Sequence, residues 1–136
     1  MKIVLDTNCL LVSVQGYSDF FWLWQAFRDK KITLCYTTDI LDEYHEKLSY
    51  YFSVPFADTV MEEILLSPNT VPITVYYKWN LITVDPDDNK FVDCAISANA
   101  ACIISHDKHF NVLKKIAFPK VNVISIDTFK SLITKI

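Results

Sequence analysis

Four acidic side chains stand in settings that an ordinary surface charge does not occupy. Asp6 directly follows the apolar run Ile3-Val4-Leu5, and Asp107 follows the apolar stretch Ala101–Ser105 in the same way. Read as strands, both runs deliver a carboxylate at a strand's carboxyl end. Asp93 is the only charged residue between Phe91 and Ile104, inside a segment that is apolar on most sides of a helix. A carboxylate there is costly unless it is paired or bound to a cation. Glu43 sits at the margin of an apolar stripe made by Ile40, Leu41, Tyr44, Leu48 and Tyr51, where it can reach into a groove beside the core. Carboxylates gathered in one place repel one another and take up protons or a cation. An all-oxygen donor set favours Mg²⁺ or Mn²⁺, one or two ions, over zinc.

Each acid also has an ordinary reading. Asp6 suits a turn or cap in Asp6-Thr7-Asn8, Glu43 a solvated helix face, and Asp107 the N-cap of a following helix. Asp93 suits a structural ion pair, with Lys90 the only base within one turn. Asp88 is a fifth candidate for the cluster. Its reading as a helix-start acid is the stronger one, because Asp85 and Asp87 share its turn.

The elements that must position these groups alternate between strand and helix. Lys2–Leu5 reads as a first buried strand, followed by a helix capped by Ser18 or Asp19 with Leu23, Trp24 and Phe27 on one face. Ile32–Thr37 reads as a second strand, and Thr38 or Asp39 starts a helix to about Tyr51. Pro55 begins another helix, ending near Ser67-Pro68. Val71–Val84 is rich in β-formers and reads as extended pieces. Asp85-Pro86-Asp87-Asp88 signals a helix start, with the helix running to about Ala101. Cys102–Ser105 is a third strand, a short helix runs from Asp107 to Leu113, Val121–Ile126 is a fourth strand, and Asp127 caps a last helix. This order indicates an α/β protein with a parallel sheet covered on both faces, whose ligands bind at the strands' carboxyl ends.

Composition narrows the classes further. The 136 residues suit one domain spanning 1–136, long enough to bury a core without staples. The single glycine, Gly16, excludes glycine-rich phosphate loops. Cys9, Cys35, Cys94 and Cys102 form no C-x-x-C pair and read as buried thiols of a reducing compartment. No apolar run is long enough to span a membrane, and Met1–Asp6 reaches a carboxylate too soon for a signal peptide, so the expected location is cytoplasmic. The net charge of -3 argues against a general nucleic-acid-binding surface but suits an acidic metal site with a local basic rim.

Four pieces stand in order over nearly the whole chain: Ile3-Val4-Leu5-Asp6-Thr7-Asn8, Ile40-Leu41-Asp42-Glu43-Tyr44, the run from Asp85 to Ala95, and Ile103-Ile104-Ser105-His106-Asp107. In these pieces the chain resembles the PIN domain, the family that includes VapC-type toxin ribonucleases. The resemblance implies a three-layer α/β/α sandwich with a central parallel sheet, and an acidic quartet of Asp6, Glu43, Asp93 and Asp107 that both binds metal and catalyses. Thr7, Asn8, Asp88 and Ser105 match supporting positions. The implied activity is metal-dependent cleavage of single-stranded RNA, as the toxin component of a type II toxin–antitoxin pair. The implied partners are an RNA substrate, an antitoxin protein and a second copy in a homodimer. Asn99-Ala100-Ala101 and His106 stand where the family often carries glycine or a small residue.

Lys78, Lys90 and Lys108 are candidates for contacting RNA phosphates, although solvated lysine is the plainer reading. His106 and His109 flank the last acid as turn histidines or substrate contacts. Phe21, Trp22 and Tyr50 fall off the main helical stripes and suit either a partner patch or burial under loops. A non-cleaving PIN-like module that binds RNA or protein is the competing reading. A haloacid-dehalogenase-like phosphatase needs a second aspartate two residues after Asp6, where Asn8 stands, and a receiver domain needs paired acids near the N-terminus.

Overall fold

In the computed structural model, which describes residues 1–134, a parallel sheet is built outward from β1 (Lys2–Leu5). Ile3, Val4 and Leu5 are all buried, as a strand covered on both faces requires. Its neighbours are β2 (Thr33–Tyr36) and β4 (Cys102–Ile104), and β3 (Thr70–Pro72) and β5 (Val123–Ile124) form the edges, giving the order β3-β2-β1-β4-β5. Helices α1 (Thr7–Ser13) and α2 (Phe21–Arg28) cross from β1 to β2, and α3 (Thr38–Tyr51) and α4 (Val54–Leu66) cross from β2 to β3. The chain then returns over α5 (Asn89–Ala98) to β4, on the other side of β1, and ends in α6 (Ile126–Ile133).

That reversal decides the layers. Right-handed crossovers running in opposite directions along a sheet place their helices on opposite faces. Ile3, Leu5 and Leu34 accordingly meet Leu23, Trp24 and Phe27 of α2, whereas Cys35 on the other face lies beside Cys94 of α5. The fold is the expected three-layer α/β/α sandwich. Its strand order switches between β1 and β4, and the crevice at their carboxyl ends is where such sheets bind ligands. The register Leu5↔Ile104 sets Asp6 and Ser105 side by side one step beyond the paired strands.

Several boundaries differ from expectation for local reasons. A short helix, α1, starts directly after Asp6 where a turn was read. Thr37, Ser53 and Ser125 cap α3, α4 and α6, their hydroxyls accepting from the N–H groups of Ile40, Phe56 and Thr128 at 3.2, 3.1 and 3.1 Å. A cap needs extended backbone, which Thr37 and Ser125 have; Thr38 is already helical, and Asp127 lies in the first turn of α6. The last strand is correspondingly shorter than Val121–Ile126. Asn99 ends α5 in the left-handed conformation, with φ 52° and ψ 47°. Asparagine is the side chain that best replaces glycine there.

Residues 73–84 form an extended strap with little strand pairing of its own. Asn89 at the start of α5 substitutes for a strand partner: its Oδ1 accepts from Ile82 N at 2.9 Å and its Nδ2 donates to Ile82 O at 2.8 Å. Asn89 and Ile82 are both buried. Asn89→Ala leaves two buried backbone groups without partners, at about 1–3 kcal/mol each. Urea unfolding is expected to show a loss of about 2–4 kcal/mol. A loss under about 0.5 kcal/mol, the range of ordinary surface changes, contradicts this account of the strap.

Candidate metal centre

Asp6 is 6% exposed and sits at the end of β1. Its Oδ2 accepts from the Ser105 hydroxyl at 2.8 Å, and the same hydroxyl oxygen accepts from Asp107 N at 3.0 Å. One serine at the end of β4 thus ties the two strand-end aspartates together. Burial raises the Asp6 carboxyl above its ordinary value, the Ser105 bond opposes this, and the charges of Asp107 and Glu43 add to the rise. Glu43 reaches the crevice from α3, held by the Thr7 hydroxyl on Oε2 and by Lys90 Nζ at 2.8 Å from Oε1. The hydroxyl of Tyr44, the next residue on α3, donates to Leu5 O, which locks α3 to the end of β1.

The fourth acid that the structure brings to this edge is Asp88. Burial, then the charges of Asp107 and Asp85, push its carboxyl up to about 6. His109 lies among these groups, its Nδ1 3.3 Å from Asp88, 3.4 Å from Asp107 and 3.8 Å from Asp85. Among the described residues, Asp85, Asp88 and His109 present ligand atoms within 4.8 Å of one another.

Asp93 is not with them. It lines the same groove as Glu43, but its Oδ1 accepts from Trp79 N at 3.1 Å in the strap, and the charge acting on it is that of Lys78. The reason is geometric. A crossover helix runs antiparallel to its strands, so its N-terminus, not its middle, lies at the sheet's carboxyl edge. Asp93 is five residues beyond Asp88, about 7.5 Å further down the axis. Its buried charge does have a partner, but the partner is a distant backbone N–H.

The supporting positions separate likewise. Thr7 and Ser105 are buried and bonded to the acids, while Asn8 is exposed on the first turn of α1. Lys90 is only 14% exposed and is held between Glu43 and Asp87, both at 2.8 Å, so it neutralises acids and is not free for a phosphate. Lys108 is exposed beside Asp107, and Lys78 lines the groove. His106 turns away, with its Nε2 accepting from Ile126 N at 3.2 Å. His109 was the harder member to read from sequence; its signal was the spacing Asp107-Lys108-His109. The four cysteines are buried and free, and burial pushes Cys9 and Cys94 up to about 12, so they offer no thiolate to a metal.

This donor chemistry fits a hard divalent cation. Asp6, Asp88 and Asp107 crowd together with no lysine or arginine paired to them among the described residues, and their mutual charge favours taking up protons or a cation.

The family model of the PIN domain matches residues 2–109. The chain belongs to the PIN domain family. No curated protein matches it. Among solved structures it is similar to VapBC2 from Rickettsia felis, crystallised bound to a DNA fragment from its promoter, at 18% identity and a TM-score of 0.63. The match covers 92% of this chain and 98% of that one, and it shows the shared fold. No helix among the described residues is long and apolar enough to cross a membrane.

The raised Asp88 carboxyl has a consequence for stability. Between its ordinary 3.8 and about 6 the folded protein holds more protons than the unfolded chain, so this group's contribution falls as pH rises through that window. Without metal, Asp88→Asn is therefore expected to raise the melting temperature at about pH 7.5 and to flatten its decline above about pH 4. Millimolar Mn²⁺ is expected to raise the wild-type melting temperature more at about pH 7.5 than at about pH 5, where protons compete. An equal Mn²⁺ effect at both pH values, or none, contradicts a cation held by these acids.

Proposed function

We propose that this chain is a metal-dependent endoribonuclease that hydrolyses phosphodiesters of single-stranded RNA. The observation that carries the proposal is the meeting of Asp6, Asp88 and Asp107, with Glu43 beside them, at the crevice between β1 and β4. Asp6, Glu43, Asp88 and Asp107 would hold one or two Mg²⁺ or Mn²⁺ ions, with Asp85 and His109 at the rim. Such an ion, when bound, supplies an activated water and stabilises charge on the phosphodiester.

The rest is work for this chain's own residues. Ser105 fixes the carboxylate of Asp6 and the backbone of Asp107, and the Asp107 Oδ1 is itself positioned by accepting from His109 N at 2.9 Å. Thr7 and Lys90 fix Glu43 from two sides, and each of its oxygens retains a lone pair for a further partner. Lys90 also removes part of the negative charge that would otherwise repel a phosphate. In this reading Asp93 is a structural acid that secures the strap beside the groove.

The family membership and the VapBC2-like fold support a biological role as the toxin of a type II toxin–antitoxin pair, with an antitoxin protein and a second copy of the chain as partners.

Asp6→Asn and Asp107→Asn are expected to reduce Mn²⁺-dependent cleavage of single-stranded RNA at least about a hundredfold. Asp88→Asn is expected to do the same, whereas Asp93→Asn should stay within about threefold, because its Oδ1 can still accept from Trp79 N and no metal ligand is altered. Full loss in Asp93→Asn with activity retained in Asp88→Asn reverses the assignment of the fourth acid. Absence of cleavage by the unaltered chain with either metal overturns the nuclease reading in favour of a non-cleaving module. Induced expression in a bacterial host is expected to arrest growth for the unaltered chain and not for Asp6→Asn; growth unaffected by the unaltered chain counts against the toxin role.

A further inference from the structure

The chain's charge is sharply divided. Residues 70–84 and 108–126 contain no Asp or Glu, yet they carry Lys78, Lys108, Lys114, Lys115 and Lys120 in a protein of net charge -3. None of these five lysines pairs with a carboxylate within 4 Å among the described residues. The two acid-free segments meet through aromatic rings. Trp79 makes edge contacts with Tyr77 at 4.7 Å and with Phe118 at 6.2 Å between ring centroids. Tyr77 is 63% exposed and Phe118 82%, and the adjacent Tyr76 is 92% exposed.

We propose that this ridge of Tyr77, Trp79 and Phe118 is a stacking platform for the bases of single-stranded nucleic acid. It deepens the nuclease reading and rests on it for the identity of the strand as RNA. Three observations carry it. First, the backbone that carries Trp79 is anchored, by Trp79 N on Asp93 and by Ile82 on Asn89, while the rings of Tyr77 and Phe118 that pack edge-on against Trp79 are largely exposed. Pre-ordered rings with open faces take any base, because every base has a π-face. Second, the rings are interleaved with lysines at 78 and 120 and with no acid, the pairing of stacking and cation that suits a polyanion with exposed bases. A second copy of this chain would set lysines against lysines across a two-fold contact, which disfavours self-association here. Third, the strap is also a wall of the groove that holds Glu43, through Lys78 and Asn80. The groove's other lining residues include Asp39, Asp42, Glu46 and Asp87, which repel phosphate. A strand must therefore be gripped outside it, by the adjoining segments that carry lysines and no acid of their own.

The test uses the intact Asp6→Asn chain in EDTA, so that nothing is cut. Binding of a fluorescein-labelled single-stranded RNA of about twelve nucleotides is followed by anisotropy. Tyr77→Ser and Phe118→Ser, both at exposed positions, are each expected to weaken binding about tenfold, in line with the loss of one stacked base. The parent's tryptophan fluorescence is expected to be quenched by saturating RNA, and Trp79→Phe should remove that quenching. Unlabelled single strand should compete, and a duplex of the same sequence should not. Unchanged binding in both serine variants overturns the platform, as does equal competition by the duplex. A change of sedimentation mass in those variants with RNA binding untouched assigns the ridge to a second copy and overturns it as well. The outcome is separable from that of the nuclease reading. Ring-dependent binding without Mn²⁺-dependent cleavage by the unaltered chain would remove the nuclease reading and leave the platform; cleavage with ring-independent binding would do the reverse.

Discussion

Asp6 is a carboxylate buried at the end of a central strand, with other acids beside it, and much of the surrounding structure can be understood as managing that charge. Desolvation makes the ionised form costly, and Asp107 and Glu43 make it costlier. The chain answers with short hydrogen-bond donors placed by secondary structure. Ser105 arrives because β4 pairs with β1 in a register that puts it one step beyond Ile104. Thr7 arrives because α1 starts at once after Asp6 and turns its hydroxyl toward Glu43. Lys90 arrives in the first turn of α5 and meets Glu43 and Asp87. None of these neutralises Asp88 or Asp107, so net repulsion persists at the edge. A protein tolerates such a site only where the rest of the sheet supplies the stability, and here Ile3, Val4, Ile103 and Ile104 are completely buried beneath it.

The parts of this arrangement that follow from chain direction could be read from sequence. Two apolar runs that each end in an aspartate become adjacent parallel strands, and their acids then share an edge without further information. The same logic applied to α5 would have chosen Asp88, since a crossover helix begins at that edge. Local chemistry pointed elsewhere. Asp93 is the only charge between Phe91 and Ile104, and the one base within a turn, Lys90, is taken by Glu43 and Asp87. Its partner is Trp79 N, fourteen residues earlier, in a strap whose path the sequence pattern does not specify. A buried charge thus announces that it has a partner, not which kind. Helix caps erred for a related reason: Thr37, Thr38 and Asp39 are all good capping types, and the position where the backbone is still extended decides among them.

The net charge illustrates how an average conceals arrangement. A value of -3 suggests no affinity for nucleic acid, yet the acids concentrate around α3 and the turn before α5, and two segments carry none. In a solution of ordinary ionic strength, screening extends over about 8 Å, so a strand near the lysines of one region hardly senses the acids of another. Only where the two regions adjoin, along the groove, does the balance matter. There, under the proposed function, the acids would repel an incoming phosphate until a cation is bound. Metal and substrate would then be coupled through charge alone, since a cation that the acids favour would also make the groove passable.

The strap connects these levels. It has little strand pairing, so its position depends on two side chains of one helix, Asn89 and Asp93, at a spacing that places both on the same face. The next residue after each turn of that face matters as well, because Lys90 follows Asn89 and holds Glu43. Any shift of α5 would move the strap, Lys90 and Asp88 together, since all three are fixed to its first two turns. The helix is held in turn by the burial of Phe91, Val92, Cys94 and Ala95 against the sheet. Packing of one apolar helix therefore sets the spacing of the acids, the neutralisation of Glu43 and the wall of the groove at once. The polar residues of α5 do not weaken that packing, because Asn89 and Asp93 have each exchanged water for a backbone partner.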